Sequence, residues 1–257
     1  MNGPDDMPPA VLVEYGLEQF YLALATLGNL PQGKENFFQW VHNPATGWPS
    51  FVFSIRFPSA LQEKEIHKLK LTAENGNLPD TFILSDHRSG QLLNVLAHSG
   101  FVPVLSWTGM WCKAEMVKFL PMTEKVQLEE TCDMIEAEKF AGVVNEVLFA
   151  EKRLPPWLVA SSGKQGLWFY RVYYLSQLAG TIAMHQVANL CGIYLVTVKP
   201  EFRRMGIARS ATIWVLKKAM EAGCDQFILH ASRMGEPVYR KVGFQPVSRI
   251  WILKLKS

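Results

Sequence analysis

The chain has 257 residues, enough for one large domain or two small ones. Apolar residues make up 49% and charged residues 19%, so a sizeable core can form and general disorder is excluded. A net charge of +3 is too small for a general nucleic-acid binder, and no apolar run approaches the roughly 18 residues of a membrane span.

The opening Met1-Asn2-Gly3-Pro4-Asp5-Asp6 has no basic region of the kind that starts a secretory signal. Cys112, Cys132, Cys191 and Cys224 form no CxxC pair. They read as reduced, buried thiols of a cytoplasmic protein. The six histidines are dispersed without an HExxH, so no metal is expected.

Residues 1 to about 12 read as a loose tail. Glu14 to Leu27 has helical spacing, with Leu17, Phe20, Tyr21 and Leu24 on one side. A long Gly-, Pro- and Asn-rich loop follows, then a strand over Phe51–Phe57. Ser59 is placed to cap a helix reaching Glu74. Thr81–Ser85 is a short strand, Gly90–His98 a helix, and Phe101–Met116 extended. Thr123–Leu148 reads as mostly helical until Pro155-Pro156 breaks the pattern. Trp168–Leu175 is an aromatic strand that alternates between core and a partner surface, or lines an acceptor groove. Gln177–Gly180 turns the chain into a hairpin partner ending at Val187. Cys191–Val198 is a strand, Arg204–Ala222 a helix, Asp225–His230 a strand, Gly235–Lys241 a short helix and Phe244–Leu255 the last strand.

One internal echo stands out. Gly100-Phe101-Val102-Pro103-Val104 recurs as Gly243-Phe244-Gln245-Pro246-Val247, each copy between a short helix and a strand. The shared context suggests two related domains, 1–118 and 119–257.

The chemistry concentrates in Val196-Thr197-Val198-Lys199-Pro200-Glu201-Phe202-Arg203-Arg204-Met205-Gly206-Ile207-Ala208. A strand runs through a proline and a tight basic loop into a helix. Unpaired N–H groups at the helix start suit a phosphate, and Arg203 and Arg204 add forked donors. Gly206 allows close backbone approach. The loop can therefore cradle a pyrophosphate. It is neither GxxxxGK[ST] nor GxGxxG.

The pattern RxxGxA after V-x-P resembles the GNAT superfamily of acyl-CoA-dependent N-acyltransferases. The carriers are Val198, Pro200, Arg203, Gly206 and Ala208, followed by Pro237-Val238-Tyr239-Arg240-Lys241-Val242-Gly243-Phe244. The resemblance implies an α/β (α+β) GNAT fold with a mixed, mostly antiparallel sheet flanked by helices. It covers 119–257 well; the first half lacks the loop and looks like a degenerate GNAT-like copy.

By this resemblance, backbone groups of Val196, Thr197 and Val198 pair with the pantetheine of acetyl-CoA. N–H groups of Arg204, Met205, Gly206, Ile207, Ala208 and Arg209 hold its pyrophosphate. An N–H near Val198 steadies the oxyanion, and an unidentified amine attacks directly. Tyr239 stands where many members carry a general acid. Ser232 occupies the place of a common cofactor-binding Asn, with shorter reach. The strand Asp225–His230 offers no carboxylate at its centre to serve as general base. A water chain, His185, read as an exposed strand residue, and Glu236, read as a solvated helix residue, are candidates, and the base stays unassigned. Trp157 lies where the family often builds an acceptor lid. The alternative reading is an acyl-CoA sensor without turnover. The state is monomer or homodimer.

Overall fold

A computed structural model describes residues 4–58, 62–89, 92–149 and 153–256. Its eleven strands form one sheet in the order β1-β2-β3-β4-β11-β5-β10-β9-β8-β7-β6. They are β1 (Gln32–Lys34), β2 (Gln39–Val41), β3 (Phe51–Phe53), β4 (Thr81–Ser85), β5 (Phe101–Lys113) and β6 (Val126–Glu130). β7 (Leu167–Tyr174), β8 (Gln177–Val187), β9 (Leu190–Val198), β10 (Gln226–Ala231) and β11 (Gln245–Leu255) complete it. β3–β4 and β9–β10 pair in parallel, and every other pair is antiparallel.

Helices cover both faces, as a two-sided apolar sheet requires. α1 (Pro9–Leu27) and α5 (Met134–Val144) share one core with Phe169, Tyr194, Ile228 and Ile250. On the other face α2 (Gln62–Glu74) and α4 (Leu92–His98) pack on Phe82 and Leu253. α6 (Ile207–Glu221) and α7 (Glu236–Val242) pack there on Ile193, Phe227 and Leu229. A short α3 (Asp86–Ser89) follows β4.

α1 crosses the middle of the sheet because two glycines permit close approach. A Cβ on Gly16 would collide with Ile228, and one on Gly109 with Ser248 and Val13. The helix begins at Pro9, earlier than the expected Glu14, since proline suits a first turn whose N–H has no helical partner. The presumed loop after it holds β1 and β2. The strand expected over Phe51–Phe57 stops at Phe53, because Ser54 turns to φ +55°. Ser59 and Gly90 lie outside the described residues.

The helix expected over Thr123–Leu148 is a strand and a shorter helix. Val126–Glu130 is β6, paired with Val126↔Tyr174 through Glu130↔Tyr170. α5 starts only after Asp133, whose side chain accepts from Glu136 N–H at 2.8 Å. Glu136 reaches back to Cys132 N–H at 2.8 Å, which closes a capping exchange. The hairpin expected to turn at Gln177–Gly180 turns one step earlier, at Leu175 and Ser176. Both have positive φ, the primed-turn conformation that matches strand twist. Cys112, Cys191 and Cys224 are buried, but Cys132 is exposed at this helix cap.

The aromatic strand β7 alternates between two covered faces, with Trp168, Tyr173 and Tyr174 half-buried. Phe169 meets Phe140 of α5 at 5.6 Å, and Tyr170 meets Trp214 of α6 edge-on at 5.0 Å.

The final strand of each half is inserted into the other. β5 lies between β10 and β11, and β11 lies between β4 and β5. The β5–β11 ladder runs from Gln245↔Trp111 to Leu255↔Phe101.

Candidate active site

β9 and β10 stay paired from Leu190↔Gln226 to Ile193↔Leu229 and then part. Above that point β10 continues as His230 and Ala231 against β5, and β9 continues as far as Val198 against β8. The edge of β9 facing the gap, including Val196, Thr197 and Val198, has no strand partner among the described residues. Backbone groups so exposed need a hydrogen-bonding partner, and an extended amide chain supplies one.

A bulge drives the parting. Tyr194 opposes Ala183 and Thr197 opposes Thr181, so β9 holds one more residue than β8 there. Leu195 takes the strain at φ +49°. Two buried threonines lock it. Thr181 N–H donates to Thr197 Oγ1 at 2.9 Å, Thr181 Oγ1 donates to the Leu195 carbonyl at 2.8 Å, and the hydroxyls lie 2.7 Å apart. The side chain of Thr197 thus faces β8. Thr181 escapes a sequence reading because no motif marks it.

Beyond β9, Pro200–Phe202 forms a 3-10 turn. Arg203 Nε folds back on the Val198 carbonyl at 3.3 Å. Arg204 and Gly206 have φ +66° and +77°, so the loop turns tightly into α6. Arg203, Arg204 and Met205 are exposed. Ser210 makes the first i−4 bond of the helix, to Gly206 at 3.0 Å. The N–H groups of Ile207, Ala208 and Arg209 precede it and are free to point at an anion.

The segment before β6 braces this loop. Thr123 N–H donates to Ser210 Oγ at 3.0 Å, Thr123 Oγ1 reaches the Met205 carbonyl at 3.5 Å, and Arg209 Nη2 reaches the Pro121 carbonyl at 3.5 Å. The helix expectation for this region concealed Thr123. A Cβ on Gly206 would lie 3.3 Å from Thr123 Oγ1, on a backbone that side chains rarely adopt.

On the far side of the gap, Ser232 is exposed and its Oγ accepts from Gly235 N–H at 3.1 Å. That bond shapes the turn into α7. Tyr239 is 7% exposed and belongs to one apolar cluster with Ile207, Ala211 and Ala231, against which Val196 and Val198 also pack. Its ring lies edge-on to Phe244 at 6.2 Å. Burial pushes its pKa above the usual phenol value, so it stays protonated and can donate.

The candidate bases sit differently from expectation. His185 is buried, beside Phe20 at 6.3 Å, and burial lowers its pKa to about 4. It is not an exposed strand residue. Glu236 is tied to Thr108 at 2.8 Å and to Arg240 at 2.6 Å, and these partners hold it below the usual carboxylate range. His230, at the top of β10, stacks on Tyr194 at 6.0 Å, and burial lowers it to about 4. Trp157 is exposed by 43% and packs against Gly28 at the end of α1.

Residues 136–251 match the family model described as the acetyltransferase (GNAT) domain. No curated protein sequence matches. Among solved structures, a GCN5-related N-acetyltransferase from Kribbella flavida is similar at 14% identity and a TM-score of 0.71, over 94% of this chain and 95% of that one. A GCN5-related N-acetyltransferase from Sphaerobacter thermophilus is similar at 14% identity and a TM-score of 0.63, over 96% and 93%. A functionally unknown conserved protein from Staphylococcus epidermidis follows at 15% and 0.64, over 89% and 95%. The shared fold therefore spans both halves of the chain. Residues 136–251 thus match the GNAT acetyltransferase domain, and the fold of the whole chain is the one seen in these GCN5-related N-acetyltransferase structures.

Proposed function

We propose that the protein transfers an acetyl group from acetyl-CoA to a primary amine by direct attack, with no covalent enzyme intermediate. The observation that carries this reading is the parting of β9 from β10 directly before a loop whose helix N–H groups are free. The pyrophosphate lies on the N–H groups from Arg204 to Arg209, and Arg203 and Arg204 supply charge. The pantetheine extends along Val196–Val198. A backbone N–H near Val198 steadies the oxyanion. The neutral amine attacks, the N–C bond forms and the C–S bond breaks. Tyr239 gives its proton to the departing thiolate and recovers one from solvent, while the amine proton leaves to solvent.

The first half is best read as a GNAT-like copy that has become structural. β3 and β4 are paired only at Val52↔Phe82, and Ser54 next along carries a positive φ, as Leu195 does. Side chains of α1 fill that second parting. The space left, lined by Glu14, Glu18, Ser54 and Ser85, is about 10 Å³, room for a single water.

Calorimetric titration of acetyl-CoA into wild type and Gly206→Trp tests the reading. Micromolar binding in wild type, lost in a variant that keeps its circular dichroism, is expected. A wild type that binds neither acetyl-CoA nor CoA refutes it.

A further inference from the structure

An open pocket of about 310 Å³ lies beside the upper end of β10. Thr108, in its wall, is the register partner of Ala231, the last residue of β10. Glu236, also in the wall, stands one turn before Tyr239 on α7. Only β10 stands between this wall and the gap that the open edge of β9 faces. An acceptor seated here borders that gap.

The pocket carries both signs of charge, with Asp86 and Glu236 against Arg240 and Arg249. Glu236 is held ionised by the Thr108 hydroxyl and the Arg240 guanidinium. Arg249 lies on the β11 side, over the Trp251 ring at 5.5 Å, and makes no ion pair among the described residues. Because β11 is one strand farther from β10 than Thr108 is, the cation sits on the far side and the carboxylate on the near side.

We propose that this pocket binds the acceptor and that the acceptor is an amino acid, with its carboxylate on Arg249 and its amine toward Glu236 and the parted strands. This rests on the acetyl-transfer reading. Arg249 is then a specificity-determining residue, since a guanidinium fork matches a carboxylate and an amide does not.

The test follows CoA release with the common L-amino acids and glycine, each beside its amide and an alkylamine of matching size. At least one amino acid should show a KM tenfold or more below that of its amide. Arg249→Ala should raise that KM about tenfold, leave kcat and the amide unchanged, and Arg249→Lys should recover part of the loss. Amides or alkylamines that serve as well as every amino acid, or an Arg249→Ala effect equal on both, overturn the proposal. If acetyl-CoA binds but no amine is acetylated, the transfer reading fails by itself. Calorimetry of the same amino acids against CoA-loaded protein then decides the pocket: binding removed by Arg249→Ala supports it, and no binding overturns it.

Discussion

Trp107 and Ile250 face each other in the β5–β11 ladder, and Ile250 follows Trp107 by 143 positions, the interval that separates Gly100 from Gly243. The pair is therefore its own image under the internal repeat. The rest of the ladder obeys the same relation. Leu105↔Ile252 maps onto Ser248↔Gly109, and Pro103↔Leu253 maps onto Pro246↔Met110. The register slips at Val247 on one strand and at Val104 on the other, the fifth residue of each echo. A two-fold relation passes through the centre of the sheet, and each half completes itself with the other's last strand.

That exchange makes the halves one folding unit. Phe101 and Phe244 are both fully buried, one in each half. Truncating either to Ala should remove about 3–5 kcal/mol. Each variant should lower a single shared transition. Urea unfolding followed by tryptophan fluorescence and by far-ultraviolet dichroism checks this, and two separated transitions would argue against a shared sheet.

The threonine lock on the bulge gives a second expectation. Thr197→Val keeps the shape but removes the acceptor of the Thr181 N–H and the hydroxyl contact. A buried N–H without a partner costs about 1–3 kcal/mol. The strand edge beside the cofactor loosens with it. Thermal unfolding should drop, and the Kd for acetyl-CoA should rise more than for a Thr212→Val control, whose hydroxyl bonds only within α6. Equal effects on Kd would remove the bulge from the binding site.

The second half was far more legible than the first, and the reason is physical. Val198 and Gly206 sit on a strand–loop–helix whose backbone chemistry dictates residue type, and Tyr239 sits on the short helix before a Gly-Phe, so two short motifs expose them. The echo Gly100–Val104 pointed to two copies, but nothing in it says that β5 and β11 change places, because register is a property of pairing. Val126-Gln127-Leu128-Glu129-Glu130 of β6 predicts helix because its glutamates and Gln127 favour helix by propensity, and it is a mostly exposed strand with little apolar alternation to reveal it. Thr181 and Thr123 act through partners 14 or more positions away, and Arg249 faces Thr108 across a ladder, which one-dimensional spacing cannot show.

Tyr239 separates an enzyme from a binding module. Tyr239→Phe keeps the ring packed on Phe244 and removes only the hydroxyl. General acid catalysis contributes roughly 10²–10⁴-fold. Acetyl transfer, read as CoA release, should fall within that range while the calorimetric Kd for acetyl-CoA holds within about twofold. Unchanged turnover would take the acid role from Tyr239. A wild type that binds acetyl-CoA and acetylates no amine would favour the sensor reading.

Buried His185, and half-buried His230 whose ring nitrogens are shut off from solvent, set an acid limit on stability. Burial lowers His185 and His230 to about 4, against an ordinary value near 6.5. Both rings are neutral in the folded protein at neutral pH, and the unfolded chain binds their protons first as pH falls. Stability is therefore fully present above about pH 6.5, declines between 6.5 and 4, and stops declining through these groups below 4. For His185, which is 4% exposed, the full effect is on the order of 3 kcal/mol. His185→Phe keeps the apolar contact with Phe20 and removes the titrating group. Urea midpoints measured from pH 7 to pH 4.5 should fall more steeply for wild type than for this variant. Parallel slopes would show that His185 is protonated as easily in the folded state as in the unfolded one, and that its ring reaches water.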